Sequence, residues 1–219
     1  DLHLLSRRQR QMCIRDSKRR MNLAFEITKR LKECDYFEFS VAFISESGLA
    51  VLKQILLNLK EKGVKGRIIT STYLGFNAPK MFKQLLSFTN IEVRIFEQEH
   101  CGFHPKGFIF HTGDHRDIIV GSSNLTQTAL ESNQEWDLFF TSHENGELAS
   151  QVSNEFDIQW ELSTPLTNEW IESYKETYVK PVRPTSVQSL KTIKPNKMQE
   201  EALKSLKLSL IHISEPTRP

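Results

Sequence analysis

The chain has 219 residues, 29 lysines and arginines against 27 aspartates and glutamates, and three cysteines. That length suffices for a domain with a real core, and the near-neutral balance excludes the broad basic surface of many nucleic-acid binders, so any such contact needs a local patch. Cys34 and Cys101 fit neither a disulfide framework nor a zinc site and suit a reducing, cytoplasmic setting; no run is apolar and long enough to be a membrane-spanning helix.

Both ends look foreign. Arg7 to Ser17 resembles a translated sequencing-library adapter, and Leu208 to Arg218 resembles the opposite adapter. Such segments stay out of fold reasoning, so residues 1–17 and 208–219 are expected to be artefacts. Residues 1–17 hold four arginines against two aspartates, and residues 208–219 hold Arg218 against Glu215. The net charge of +2 therefore belongs to the ends, and 18–207 is neutral.

Lys18 to Glu33 has a helical pattern, with Leu23, Ile27, Leu31 and Cys34 on one stripe. Tyr36 to Ile44 reads as a strand covered on both faces. Ser45 or Ser47 caps the next helix, which carries Leu49, Leu52, Leu56 and Leu59 and ends at Gly63. Gly66 to Ser71 is a strand. Asn77-Ala78-Pro79 starts a helix with Met81, Leu85 and Phe88 on one face. Ile91 to Phe96 alternates as a strand. Gly107 to Phe110 and Asp117 to Val120 read as a hairpin joined by His111 to Arg116. Trp136 to Thr141 is a further strand. Asn145 to Leu162 is a helix marked by Leu148, Val152, Phe156 and Trp160 and broken by Pro165. Asn168 to Tyr178 is the next helix. Strands alternating with helices predict an α/β layered domain over 18–179. Pro181 and Pro184 mark a linker over 180–193, and a new helix starts in 194–207.

The chemistry concentrates between Gly102 and Glu135. His104 and Lys106 are two apart at the start of a strand, so they share a face. Gly121-Ser122-Ser123-Asn124 ends the paired strand, and Glu135 stands eleven residues after Asn124. A neutral imidazole can attack phosphorus and split one displacement into two easier ones. Lys106 suits the non-bridging oxygens, Ser122 and Asn124 can donate to them, and Glu135 can orient an imidazole. Lysine and histidinium supply the positive charge, so no metal is expected. His100, Cys101 and His104 lack the fourth ligand and spacing of a zinc site. His111 and His115 read as turn or surface residues. Trp136, Trp160 and Trp170 read as core, and Lys60, Lys62, Lys65 and Arg67 as a solvated basic face.

His104-x-Lys106, Gly121-Ser122-x-Asn124 and Glu135 together resemble the active-site motif of the phospholipase D superfamily, in its single-motif, nuclease-type form. The wider chain, with Phe39 to Ile44 and Gly121 to Thr126, resembles the domain found before the motor of some bacterial superfamily 2 helicases. Residues 194–207 resemble the entry to that motor. The resemblance implies a mixed β-sheet sandwiched between helices and a metal-independent phosphodiesterase acting on DNA or RNA through a phosphohistidine. His104, Lys106, Asn124 and Glu135 would be catalytic, with Lys106, Ser122 and Asn124 holding the phosphate. It also implies a homodimer, because a second histidine must protonate the leaving oxygen. ATP and magnesium are expected only for the motor. In one departure, His111 stands where the family signature has an aspartate; Asp114 and Asp117 are nearby and stay outside the catalytic set. The alternatives are a non-catalytic nucleic-acid-binding module and a phospholipid hydrolase. The second is weakened by the lack of an amphipathic membrane helix.

Overall fold

The computed structural model of the chain describes residues 12–13, 22–72, 75–98, 102–181, 198–199 and 201. The expected linker and motor entry fall outside the described residues, apart from Lys180, Pro181 and the helical Met198, Gln199 and Glu201. The chain divides into compact units at Pro181 and Val182. At the adapter-like N-terminal end, β1 (Met12–Cys13) is described, pairing antiparallel with Phe139 and Leu138.

Helix α1 (Leu23–Glu33) starts at Asn22, whose side chain accepts from the Phe25 amide at 3.0 Å. Its predicted stripe is the buried one: Leu23, Ile27, Leu31 and Cys34 are all in the core. Burial pushes the free Cys34 thiol up to about 12, which makes it inert core. Strand β2 (Tyr36–Val41) leads to α2 (Glu46–Glu61), capped by Ser45. Gly63 then takes the left-handed φ of 73° that ends the helix. Strand β3 (Lys65–Ser71), helix α3 (Pro79–Leu86) and strand β4 (Ile91–Phe96) follow.

Strands β5 (Lys106–Thr112) and β6 (His115–Gly121) pair closely enough that only Gly113 and Asp114 remain as the turn. The expected six-residue connection is thus a two-residue hairpin, with Gly113 supplying a φ of 53°. Helix α4 (Gln127–Glu131), strand β7 (Asp137–His143), helix α5 (Glu147–Glu161), strand β8 (Thr164–Pro165) and helix α6 (Asn168–Thr177) complete the unit.

The strands form one mixed sheet in the order β1-β7-β6-β5-β2-β3-β4-β8. Strands β2, β3 and β4 are parallel, as their helical crossovers require; β5, β6 and β7 are antiparallel. One face packs Phe37, Phe39, Phe108 and Phe110 under α1, α2 and α3. The other packs Ile69, Ile109 and Ile118 against Phe156 and Trp160 of α5. Each fully buried phenylalanine contributes roughly 2–3 kcal/mol relative to exposure.

Three expectations change. Strand β2 stops at Val41, because the buried Asn77 amide takes over its last backbone groups. Its Nδ2 donates to the carbonyls of Ala42 (2.9 Å) and Ser71 (2.6 Å) and to Thr70 Oγ1 (2.9 Å). Its Oδ1 accepts from the Ile44 amide at 2.8 Å. Asn77 thus acts in the core, while Ala78 takes the N-cap position of the helix that Pro79 opens, as expected. Leu148 is exposed, and Ala149 takes the inward position on α5. Trp136 is 80% exposed, in contrast to the core position expected of it.

Candidate active site

The site lies where β5 begins and β6 ends. Phe103 is buried and stacks on Phe96 at 4.9 Å, which anchors the entry to β5. The Ala42 amide donates to the Pro105 carbonyl at 3.0 Å, and Lys106 then pairs with Val41. His104 stands exposed on this frame, its ring edge against Phe43 at 5.5 Å between centroids.

Lys106 is 8% exposed and turns its ammonium onto His104. Its Nζ lies 2.7 Å from Nδ1 and 3.1 Å from Nε2 of the imidazole and donates to the His104 carbonyl at 2.8 Å. An ammonium has three donors and no acceptor, so it pairs with a ring nitrogen that carries a lone pair. Burial pushes the Lys106 ammonium below the usual lysine range, and the Glu135 carboxylate opposes that shift. The side chains predicted to share a face are in contact.

The Gly121–Asn124 loop is held from β7. The Ser122 amide donates to the Trp136 carbonyl, and the Trp136 amide donates to Ser122 Oγ, each at 3.0 Å. Ser122 Oγ donates to Glu135 Oε2, and Asn133 Nδ2 donates to Oε1 at 3.1 Å. The Glu135 hydrogen bonds therefore go to Ser122 and Asn133, while the imidazole rests on Lys106 and Phe43. Gly121 has no alternative: a Cβ there would sit 2.2 Å from the Trp136 carbonyl oxygen and 2.2 Å from Asp137 Oδ1.

Asp137 is a residue that the motif reading missed. It accepts from the Ser123 amide at 3.2 Å and the Ser123 hydroxyl at 2.5 Å, fixing the buried centre of the loop. Next in line, Asn124 presents a buried Oδ1 with no hydrogen-bond partner among the described residues. Leu125 closes the loop against β2, its amide donating to Phe43 at 3.1 Å and its carbonyl accepting from Ser45 at 3.0 Å.

A cleft of about 420 Å³ opens beside His104 and Lys106, with Ile109, Val120, Val152 and Phe156 on its walls. The other described histidines lie at the opposite end of the sheet. His111 bonds to Glu38, with 3.0 Å between Nε2 and Oε2, and so belongs to a buried ion cluster in place of the turn expected for it. Arg67 completes that cluster, bonding to Glu38 and to Asp157 (2.8 Å) and so packing against the sheet where a solvated face was expected. Burial raises the Glu38 carboxyl, but the bonds from His111 and Arg67 outweigh it and hold the group below its usual range. The nearby Asp117 accepts from Thr141 Oγ1 at 2.6 Å. Among the described residues, Asp114, His115 and His143 have metal-ligand spacing at the hairpin tip. That tip is six residues along β6 from Gly121, or about 20 Å, too far for an ion there to touch the groups around His104 and Lys106.

Helices layered on both faces of a mixed sheet, with a His-x-Lys pair where β5 begins and a Gly-Ser-x-Asn loop where β6 ends, define the class of fold. The chain belongs to the PLD-like domain family: the profile described as cardiolipin synthase, PLD-like domain, matches residues 27–160. Among solved structures it is similar to Nuc from Salmonella typhimurium, a phospholipase D family member. That likeness has a TM-score of 0.52 at 14% identity and covers 64% of this chain and 88% of Nuc. It is also similar to NucT from Helicobacter pylori, with a TM-score of 0.55 at 11% identity over 72% of this chain and 98% of NucT. At such identities the likeness is one of fold. No curated protein matches the chain.

Proposed function

We propose that this domain is a metal-independent phosphodiesterase that cleaves nucleic-acid strands through a phosphohistidine on His104. The contact between the Lys106 ammonium and the His104 imidazole, 2.7 Å at Nδ1, is the observation that carries the reading. The nucleophile is paired with the cation that its substrate needs. An arriving phosphate draws Lys106 from the ring to a non-bridging oxygen, and this frees the nitrogen lone pair. Asn124 donates to another of its oxygens, and Ser122 does so as its hydroxyl turns from Glu135 to the phosphate. The imidazole nitrogen attacks phosphorus, the bond to the leaving oxygen breaks, and that oxygen takes a proton from a second imidazole. Water then attacks phosphorus, gives a proton to the second imidazole, and releases His104. Glu135 acts through Ser122 and through its charge on Lys106.

The second imidazole is the reason to propose a homodimer. Among the described residues the other histidines, His111, His115 and His143, stand at the far end of the sheet, and a two-fold partner's His104 is the acid we propose. The helicase context and the cytoplasmic setting stay part of the proposal, and they rest on residues 194–207 and on the cysteine usage. The test is cleavage of DNA by the chain in EDTA. Wild type should cut and His104→Ala should not; cutting that survives His104→Ala, or that needs added magnesium, overturns the mechanism. Sedimentation should find a dimer, and a fully active monomer would end the shared-site reading.

The apolar cleft beside His104 favours one second reading, hydrolysis of a phospholipid head group. Release of choline from phosphatidylcholine vesicles with no cleavage of DNA would establish it in place of the first.

A further inference from the structure

Two exposed aromatic rings flank the candidate site, and neither belongs to the buried core. Trp136 is 80% exposed and Phe76 is 55% exposed. Trp136 is rooted on the site itself: its amide and carbonyl both bond to Ser122, and Glu135 precedes it. Phe76 follows Gly75, which holds a φ of 65°, and its ring packs on Phe43 at 4.9 Å. Phe43 in turn meets the edge of His104 at 5.5 Å.

The sheet order fixes where these rings stand. At the site end, β7 begins, β6 ends, β5 begins, and β2 and β3 end. Trp136 precedes β7 and Phe76 follows β3, with Lys106 at the head of the central β5. The rings are therefore three to four strand spacings apart, roughly 14–19 Å, with the phosphate-handling groups between them. That span fits a few nucleotides.

We propose that Trp136 and Phe76 are base-stacking platforms that make an unpaired nucleic-acid strand the substrate of this site. The proposal rests on the phosphodiesterase reading and deepens it. In a duplex each base face is covered by its neighbours, and only an unpaired strand can lay bases on exposed rings. Every base has such a face, so the preference is for strand state and not for sequence. Charge points the same way. With a net charge of +2 on the whole chain and Lys106 as the cation of the site, phosphate neutralisation supplies little affinity, and stacking has to supply the rest. A bilayer would ask for one continuous apolar patch; here the polar Ser122, Asn124, Glu135 and Lys106 separate the two rings.

The experiment titrates the full chain with oligothymidylate, with a duplex of the same length, and with phosphatidylcholine–phosphatidylglycerol vesicles. Binding is read by quenching of indole fluorescence and by anisotropy of a labelled strand. Trp160 is 5% exposed and Trp170 is partly buried against the core, so Trp136, at 80%, is the most accessible indole, and the Trp136→Ala protein gives the signal of the other two. The single strand should quench saturably and bind more tightly than the duplex. Its salt slope should be shallow, about −1 for one or two neutralised phosphates. Trp136→Ala and Phe76→Ala should each weaken single-strand binding by roughly five- to 150-fold. Tighter duplex binding, an unquenched Trp136, both variants binding as wild type, or preferential quenching by vesicles overturns the proposal. The readout is binding, so a chain that stacks a strand without cutting it upholds this proposal while ending the nuclease reading. Cleavage without quenching does the reverse.

Discussion

Asn77→Ala tests what holds the frame under the site. Asn77 is 1% exposed, and its amide joins the end of β2, the end of β3 and the start of α3. The Ala42 carbonyl keeps Thr70 Oγ1 at 3.2 Å as a donor after truncation. The Ile44 amide, in contrast, has Asn77 Oδ1 as its acceptor, and Ile44 is 1% exposed. Stranding that amide costs about 1–3 kcal/mol, and weakening the Ser71 carbonyl brings the loss to about 3 kcal/mol. For a domain of this size that is about 6–12 °C in Tm. Thermal unfolding followed by circular dichroism measures it. The control is Gln127→Ala, which loses only an exposed bond to Glu131 and should fall within about 0.5 kcal/mol of wild type. A shift for Asn77→Ala no larger than the control's would refute the reasoning. Turnover should fall with stability, because the same amide sets the course of the chain through Phe43, which supports His104.

Gly66→Ala should lower the urea midpoint by about 1–3 kcal/mol equivalent, since the new Cβ would sit 2.3 Å from Cζ of the fully buried Phe37; an unchanged midpoint sinks that packing account. Gly121→Ala drives a methyl group into the Trp136 carbonyl and Asp137. Turnover of a small phosphodiester should drop at least about tenfold through misplaced site groups, and wild-type turnover would show that the close approach does not matter. Glu38→Gln should destabilise the fold at neutral pH by removing the partner of Arg67 and His111. The native carboxyl lies below its ordinary 4.5, so its stabilisation is complete above that value and fades as pH falls through the folded-state pKa. Urea unfolding of both proteins across acid pH should show the gap closing downward; a constant or widening gap contradicts the sign.

Much of the frame was legible in the sequence, because covered strands and amphipathic helices leave periodic marks. Ile91 to Phe96 was bounded to the residue by its alternation, and the α1 stripe was buried as read. What failed depended on partners distant in sequence. Tyr36 to Ile44 has no local stop signal; the stop is supplied by an amide 33 residues after Ile44. A tryptophan reads as core because the residue is highly buried on average, but Trp136 lies in the loop just before β7, outside the paired strands, and is left in solvent. The same logic divides the site. His104 and Lys106 were legible because two-residue spacing in extended chain is self-contained, and their contact needs no third element. The Glu135 bonds were not: its carboxylate is captured by Ser122 on the neighbouring strand, a consequence of the β6–β7 register that pairs Gly121 with Asp137. That register also explains Asp137 itself. It lies opposite the loop it must hold, so both of its oxygens go to Ser123, and neither is left for the imidazole. Among the described residues the imidazole meets Lys106 and an aromatic ring directly, whereas Glu135 reaches the site at one remove, through Ser122. Lys106→Met should therefore cost more in turnover than Glu135→Gln, and the reverse order would return the orienting role to the carboxylate.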